Sequence, residues 1–529
     1  MGKLFLYDTT LRDGSQREGI SFSVADKLNI AQKLDEFGMH YIEGGWPGAN
    51  PKDNEFFELA AKAGFQKSRL VAFGSTCKAG VIASEDANLN ALLASGAPVI
   101  TLVCKSSLPQ VEKVLGTSLD ENLRMVTDSI EYLKGHGRQV FVDAEHYFDG
   151  YKAHPEYSLC VLQAATKAGA DCLVLCDTNG GALPEDVFQA VKAAITATEV
   201  PIGIHAHNDA ELAVANSLSA VKAGAIQIQG TVNGYGERCG NANLCSIIPA
   251  LKLKLCHDVV ADHALGQLTE LSHFVSEVAN LAPDPFMPYV GHSAFSHKAG
   301  LHVSGLSRWP FAYQHIDPAA VGNKPRTLVS ELSGKSNIIQ RAHEIGVDLS
   351  VHTAQVNKLL SQVKHLESLG FQYENAEASF DLLVHRAASD YRPPFELIDF
   401  MVVVEKRRRA PIVSLAHEEM MSEAIVKVRV NDEIMHTAAE GNGPVNALDL
   451  ALRKALLPSY PALAQVDLMD FKVRILEESN GTGSIVRVLI ESSDGNRDWH
   501  TVGASSNIIE ASWLALADSL EYGLLTNPG

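Results

Sequence analysis

The sequence has no apolar run long enough to span a bilayer, no cleavable apolar segment near its start, and no Cys-x-x-Cys pair. The first absence excludes a membrane-spanning helix. The second makes Met1–Asp8 read as a strand rather than a signal peptide. The third removes the spacing of a zinc or dithiol redox site: the eight cysteines are spread between Cys77 and Cys256. A reduced, cytoplasmic protein is the expectation. Positive charge is also scarce. Lys and Arg number 44 against 63 Asp and Glu, a net charge of −19, which disfavours nucleic acid as a partner. The one basic run, Lys406-Arg407-Arg408-Arg409, reads as a solvated connector. Low-complexity segments and short-period repeats are missing too.

What is present is ample core material: 529 residues, 46% hydrophobic and 20% charged, enough for several domains. The first half has a rhythm. Eight β-rich runs (Lys3–Thr9, His40–Trp46, Arg69–Ser75, Pro98–Cys104, Gln139–Tyr147, Asp171–Thr178, Pro201–His207 and Ala225–Val232) alternate with stretches of helical periodicity such as Ser23–Phe37 and Asp209–Ala223. Gly38, Gly96, Gly169 and Gly224 stop helices just before the next strand. Eight such units in succession predict a closed (β/α)8 barrel, with strands apolar on both faces.

From about Ala282 the pattern changes to a Pro-rich segment followed by helices at Asn337–Gly346 and Ala354–Leu369. Strands at Leu397–Val404, Ala424–Val430, Phe471–Leu476 and Ile485–Glu491, with helices at Asn446–Leu457 and Ile508–Glu521, predict a small α+β domain duplicated in outline. The expected organisation is a TIM barrel over 1–281, a helical connector over 282–396 and an α+β domain over 397–529.

In a barrel of this type, function collects where strands end. Polar residues there are Arg12 and Asp13 after the first strand, Glu43 after the second, Glu145 after the fifth, Asp177-Thr178 after the sixth, and His205-Ala206-His207 on the seventh. His205 and His207 are two apart, so a strand puts both imidazoles on one face. With Asp13 they form a candidate divalent-metal site. Arg12 suits stabilisation of an oxyanion and needs a counter-charge, for which Glu43 is the candidate. Glu145 reads as a base, a substrate positioner or the partner of a histidine. The glycine-rich loop Gly234–Gly240 offers backbone N–H groups to a ligand, a weak signal by itself.

Asp8–Gln16, Ile42–Pro47, His205–Asp209 and Asn233–Leu244 together resemble the 2-isopropylmalate, homocitrate and citramalate synthases. These belong to the Asp-Arg-Glu barrel metalloenzymes that also include 3-hydroxy-3-methylglutaryl-CoA lyase. The resemblance covers essentially the whole chain. It implies Asp13, His205, His207 and Asn241 as metal ligands, Arg12 and Glu43 as the rest of the Asp-Arg-Glu trio, and Glu145 as the carboxylate of the fifth strand. It also implies Thr178 at the oxo-acid carboxylate, a histidine after the barrel (His297 or His302, with His302 favoured) and Tyr313 nearby. The implied reaction joins acetyl-CoA to a 2-oxo acid. Ser15, where isopropylmalate synthases usually carry Glu, and Val502–Trp513 resemble the longer citramalate-forming type, which points to pyruvate as acceptor and isoleucine as effector. The alternative acceptor is 2-oxoisovalerate, giving isopropylmalate. A CoA-ester lyase and a non-catalytic metabolite sensor are more distant readings. The metal stays open among Mg, Mn, Co and Zn, and a homodimer is expected from the resemblance.

Overall fold

The computed structural model describes residues 3–298, 300–327, 335–347, 353–388, 391–406, 420–476 and 483–526. The basic residues 407–409 and Ala299 lie outside them. The chain forms two compact units, Met1–Phe295 with His315–Pro325, and Ser296–Gln314 with Arg326–Gly529.

In the first unit β1 (Phe5–Asp8), β2 (Tyr41–Gly45), β3 (Arg69–Ser75), β4 (Val99–Lys105), β5 (Gln139–Glu145), β6 (Cys172–Asp177), β7 (Ile202–Ala206) and β8 (Gln227–Gly230) close into a parallel barrel in sequence order. β8 returns to β1, with Phe5 opposite Gln227 and Asp8 opposite Gly230. The eight strands fall where the rhythm predicts them, shortened by a residue or two at most ends. The surrounding helices are α1 (Val24–Phe37), α2 (Pro51–Ala63), α3 (Ala87–Ala94), α4 (Leu119–Gly135), α5 (Tyr147–Ala153), α6 (Pro155–Lys167), α7 (Pro184–Ala197) and α8 (Ala213–Ala223). Three further helices follow the last barrel strand: α9 (Leu244–Pro249), α10 (Asp262–Leu265) and α11 (Leu268–Val278).

α1 shows why the sequence starts and stops a helix here. Ser23 accepts from Asp26 N while the Asp26 side chain accepts from Ser23 N, a reciprocal cap. The helix ends at Gly38, whose φ of 102° is open to glycine. Ile30, Leu34 and Phe37 line its buried face, each fully buried aliphatic side chain contributing about 1.5–3 kcal/mol.

Strand alternation sorts the barrel residues into two sets. Leu6, Ile42, Val140, Val142, Ile204 and Ile228 join the core between strands and helices. Tyr41, Val71, Val99, Phe141, Cys172 and Val174 fill the lower interior. The upper interior departs from the expectation of strands apolar on both faces. Tyr7, Glu43, Thr101, Asp143, Gln227 and Gln229 are all buried there. Buried polar groups persist only when hydrogen-bonded, and these bond to one another and to the residues of the barrel mouth.

The second unit contains the short parallel pair β9 (Ser296–His297) and β10 (Arg326–Thr327), and helices α12 (Gly300–Arg308), α13 (Lys335–Glu344), α14 (Thr353–Ser368) and α15 (Glu377–Ala387). It continues with two antiparallel sheets. β11 (Phe395–Lys406), β12 (Met420–Val430) and β13 (Glu433–Gly441) carry α16 (Pro444–Leu456). β14 (Asp467–Ile475), β15 (Val486–Ser493) and β16 (Asp498–Ser505) carry α17 (Ile508–Thr526). The expected duplication is therefore strand–strand–strand–helix, twice. One strand of each sheet, β13 and β16, is absent from the sequence reading, as is α15. α15 packs on α17 and β16, held by Arg386 to Asp518 and Glu521. No helix among the described residues is long and apolar enough to cross a membrane.

Candidate active site

Each polar residue expected at a strand end of the barrel stands at its C-terminal mouth. The loop after β1 is fixed first. Thr10 donates through its backbone and its hydroxyl to Asp8, and that hydroxyl accepts from Val232 N at 2.9 Å, tying the β1 loop to the β8 loop. Burial pushes the Asp8 carboxyl up to about 7.

Arg12 emerges from this loop. Its Nε donates to Glu43 Oε1 at 2.6 Å, its Nη1 lies 3.2 Å from Asp13 Oδ2, and its guanidinium sits 3.8 Å above the Phe73 ring. Glu43 is fully buried, and its other oxygen accepts from Tyr7 at 2.5 Å. Both carboxylate oxygens are thus engaged, one of them by Arg12, the counter-charge contact expected from the sequence. The Ile42–Pro47 motif has a structural cause as well. Buried Lys27 donates to Gly44 O and pairs with Asp53, and Asp53 accepts from Trp46 N. A Cβ at Gly45, whose φ is 146°, would sit 2.4 Å from the Asp53 carboxylate. Trp46 is thereby held edge-on to Phe73, the ring under Arg12.

His205 and His207 point the same way off β7. His205 Nε2 lies 3.3 Å from Asp13 Oδ2 and 3.4 Å from His207 Nε2, and His207 Nε2 lies 4.0 Å from the same carboxylate oxygen. Burial, then the neighbouring His205, lowers His207 to about 4, which keeps its lone pair available at neutral pH. Burial would raise the Asp13 carboxyl, but Arg12 and His205 hold it well below the usual carboxylate range. Asn241 faces His207 across a β-bridge, and its buried Oδ1 has no hydrogen-bond partner among the described residues. An orphaned carbonyl oxygen beside one carboxylate and two imidazoles is the donor set of a divalent cation. The residues present therefore fit the metal that the resemblance implies. The glycine loop serves this residue. Asn241 N donates to Gly234 O and Asn241 Nδ2 to Tyr235 O, both at 3.1 Å. A Cβ at Gly236, at φ 153°, would collide with Asn241 Nδ2. The loop thus positions Asn241, where the sequence offered it as a cradle for a ligand.

A pocket of about 400 Å³ opens above these groups, lined among others by Arg12, Asp13, Trp46, Phe73, Lys105, Glu145, Thr178, His207 and Arg238. Glu145 forms an ion pair with Lys105, its register partner on β4. The chain turns sharply after Glu145, with His146 at φ 58°, and His146 N donates to the Thr178 hydroxyl at 2.8 Å. Thr178 also has its carbonyl bound by Arg238, which forks onto Asp209. His297, His302 and Tyr313 belong to the second unit, where the rings of His302 and Tyr313 stack at 4.1 Å. The sequence reading passed over Tyr7, Thr101, Lys105, Asp143 and Gln229. Their one available signal was a polar side chain at an inward position of an otherwise apolar strand.

The chain matches known families and known proteins along most of its length. Residues 3–275 match the HMGL-like family, 289–370 the homocitrate synthase post-HMGL domain-like family, and 374–524 the LeuA allosteric (dimerisation) domain. The chain is 52% identical over 526 residues to the (R)-citramalate synthase of Geobacter sulfurreducens, covering 99% of this chain and 98% of that one. It is 51% identical over 524 residues to the (R)-citramalate synthase of Aquifex aeolicus, covering 99% and 98%. A probable 2-isopropylmalate synthase of Methanopyrus kandleri is 30% identical over 507 residues, covering 96% and 95%. The chain belongs to the HMGL-like family of enzymes and, within it, to the (R)-citramalate synthases.

Proposed function

We propose that the chain condenses acetyl-CoA with pyruvate and water to give (R)-citramalate and CoA. The observation that carries this reading is the barrel mouth, with Arg12 held by Glu43 beside the converging Asp13, His205, His207 and Asn241. It stands in a chain that matches (R)-citramalate synthases along its whole length. Those four residues would hold a divalent cation, which would supply Lewis-acid polarisation of a carbonyl. Thr178, oriented by His146 and Arg238, binds the oxo-acid carboxylate. Of the two bases that the resemblance offers, Glu145 and His302, Glu145 lines the barrel pocket, and the proton of the acetyl methyl group is assigned to it. The carbanion adds to the oxo-acid carbonyl carbon. Arg12, whose Nε and Nη1 are already engaged, directs its further N–H donors at the alkoxide that forms. Hydrolysis of the thioester then releases CoA.

The same reading extends to the second unit. Match to a LeuA allosteric (dimerisation) domain, together with exposed Met401, Val404, Ile434, Met469 and Ile475 on its strands, supports a homodimer with an allosteric effector site, and isoleucine as the effector is carried over from the citramalate reading. A cytoplasmic location fits the cysteine usage. The deciding experiment measures CoA release with a panel of 2-oxo acids and identifies the product by chiral chromatography. Pyruvate is the preferred acceptor under this proposal. Preference for 2-oxoisovalerate overturns it in favour of isopropylmalate synthesis.

A further inference from the structure

His205 has a partner on the side away from Asp13. Its Nδ1 lies 2.9 Å from Gln229 Oε1. A carbonyl oxygen only accepts, so Nδ1 carries a proton, and in the neutral ring the lone pair is then on Nε2. The direction of the Gln229 amide is itself set. Its Nε2 donates to Asp143 Oδ1 at 3.2 Å and to Gln227 Oε1 at 3.4 Å. With Asp143 ionised and the Gln227 oxygen facing it, turning the amide over would place its oxygen against both of those acceptors and its NH2 against Nδ1. It would then hold His205 with the proton on Nε2, aimed at Asp13 and His207. Gln229, Gln227 and Asp143 are at most 3% exposed, so water does not substitute for these bonds.

Strand register puts the four residues together. Gly203 lies opposite Gln227 and Ile204 opposite Ile228, and continuing that register sets Gln229 beside His205. Two-residue periodicity turns Gln227 and Gln229 inward on β8, and Asp143 faces them from β5.

We propose that Gln229, anchored by Asp143 and Gln227, is a positioning residue that locks His205 in the tautomer able to ligate a divalent cation. The inference rests on the reading of Asp13, His205, His207 and Asn241 as metal ligands. Outer partners of this kind change metal affinity by about 10–100-fold when removed.

The test titrates full-length apoenzyme with Co²⁺ and reads both affinity and the visible d–d spectrum. Gln229→Met keeps the volume and removes the acceptor, and Co²⁺ affinity falls by about 10–100-fold. The paired change Gln229→Glu with Asp143→Asn exchanges donor and acceptor between the two positions yet keeps a carboxylate oxygen on His205 Nδ1–H, and affinity stays close to that of the unmodified enzyme. A role in packing alone predicts the reverse order, with Met tolerated and the paired polar change costly, and that result overturns the proposal. If Gln229→Met does not fold, the decision passes to the unmodified apoenzyme labelled with ¹⁵N-histidine at about pH 9, well above ordinary imidazole titration. The His205 signal, identified by its loss in His205→Gln, then reports protonation at Nδ1; protonation at Nε2 overturns the proposal. Absence of Co²⁺ binding to the unmodified enzyme instead defeats the metal reading beneath it.

Discussion

Arg12 and Glu43 face each other with Nε and Oε1 2.6 Å apart, and the second oxygen of Glu43 is taken by Tyr7. A buried carboxylate with both oxygens engaged is a clamp on the guanidinium. Arg12→Lys keeps the charge and loses the planar fork. We expect kcat to fall on the order of 100-fold or more, the scale of a lost oxyanion donor, with little change in KM for acetyl-CoA. Tyr7→Phe, which removes one hydrogen bond of the clamp, reduces kcat less. Steady-state kinetics on both variants are the check, and a near-normal kcat for Arg12→Lys would make the residue structural.

Asn241 leaves its Oδ1 unpartnered, so Asn241→Ala removes a ligand while the barrel stays intact. His205→Ala and His207→Ala act likewise. All three variants are expected to fold, to lose bound divalent metal by elemental analysis and to lose nearly all activity. Full occupancy in both histidine variants contradicts the assignment.

The barrel was legible because its strands and helices carry period-two and period-3.6 patterns in alternation, and Gly38 and Gly224 mark helix ends whatever the tertiary context. The mouth was legible because its candidate residues lie at strand ends. The upper interior was not. Tyr7 meets Glu43 across 36 positions and Gln229 meets Asp143 across 86, and no local pattern announces such a pairing. In the second unit, β13 escaped for a different reason. Most of its residues are half-buried or exposed, so Glu433–Gly441 lacks the apolar alternation that marks a strand.

Lys27 and Asp53 are each 7% exposed, and Asp53 also accepts from Trp46 N at 2.9 Å. Removing one partner of a buried pair strands the other charge. Lys27→Met is expected to destabilise the barrel by about 3–5 kcal/mol. Changing both residues, Lys27→Met with Asp53→Leu, recovers much of the loss, because no isolated charge then remains. The measurement is the barrel's own unfolding transition followed in denaturant. Unchanged stability of Lys27→Met would show that water reaches Asp53 after all.

The effector prediction depends on how the second unit is cut. The sequence pattern puts the boundary at 396/397, but that falls inside Phe395–Lys406, which is β11, paired along its length with Met420–Val430. Val384 and Phe380 of α15 share a core with Val502 of β16. A chain ending near Glu405 would leave β11 without its partner strand and open that core, so loss of inhibition in it would not isolate the effector site. The full-length enzyme is the better instrument. If isoleucine is the effector, it lowers the initial rate where leucine at the same concentration does not. It also raises the unfolding midpoint of the second unit with concentration, as any ligand selective for the folded state does. Linkage adds a stricter requirement: whatever factor isoleucine imposes on the affinity for acetyl-CoA, acetyl-CoA must impose on the affinity for isoleucine. Calorimetric titration in both orders measures the two factors. A factor of one in both orders excludes coupling between the sites, and inhibition by leucine alone moves the whole reading toward isopropylmalate synthesis.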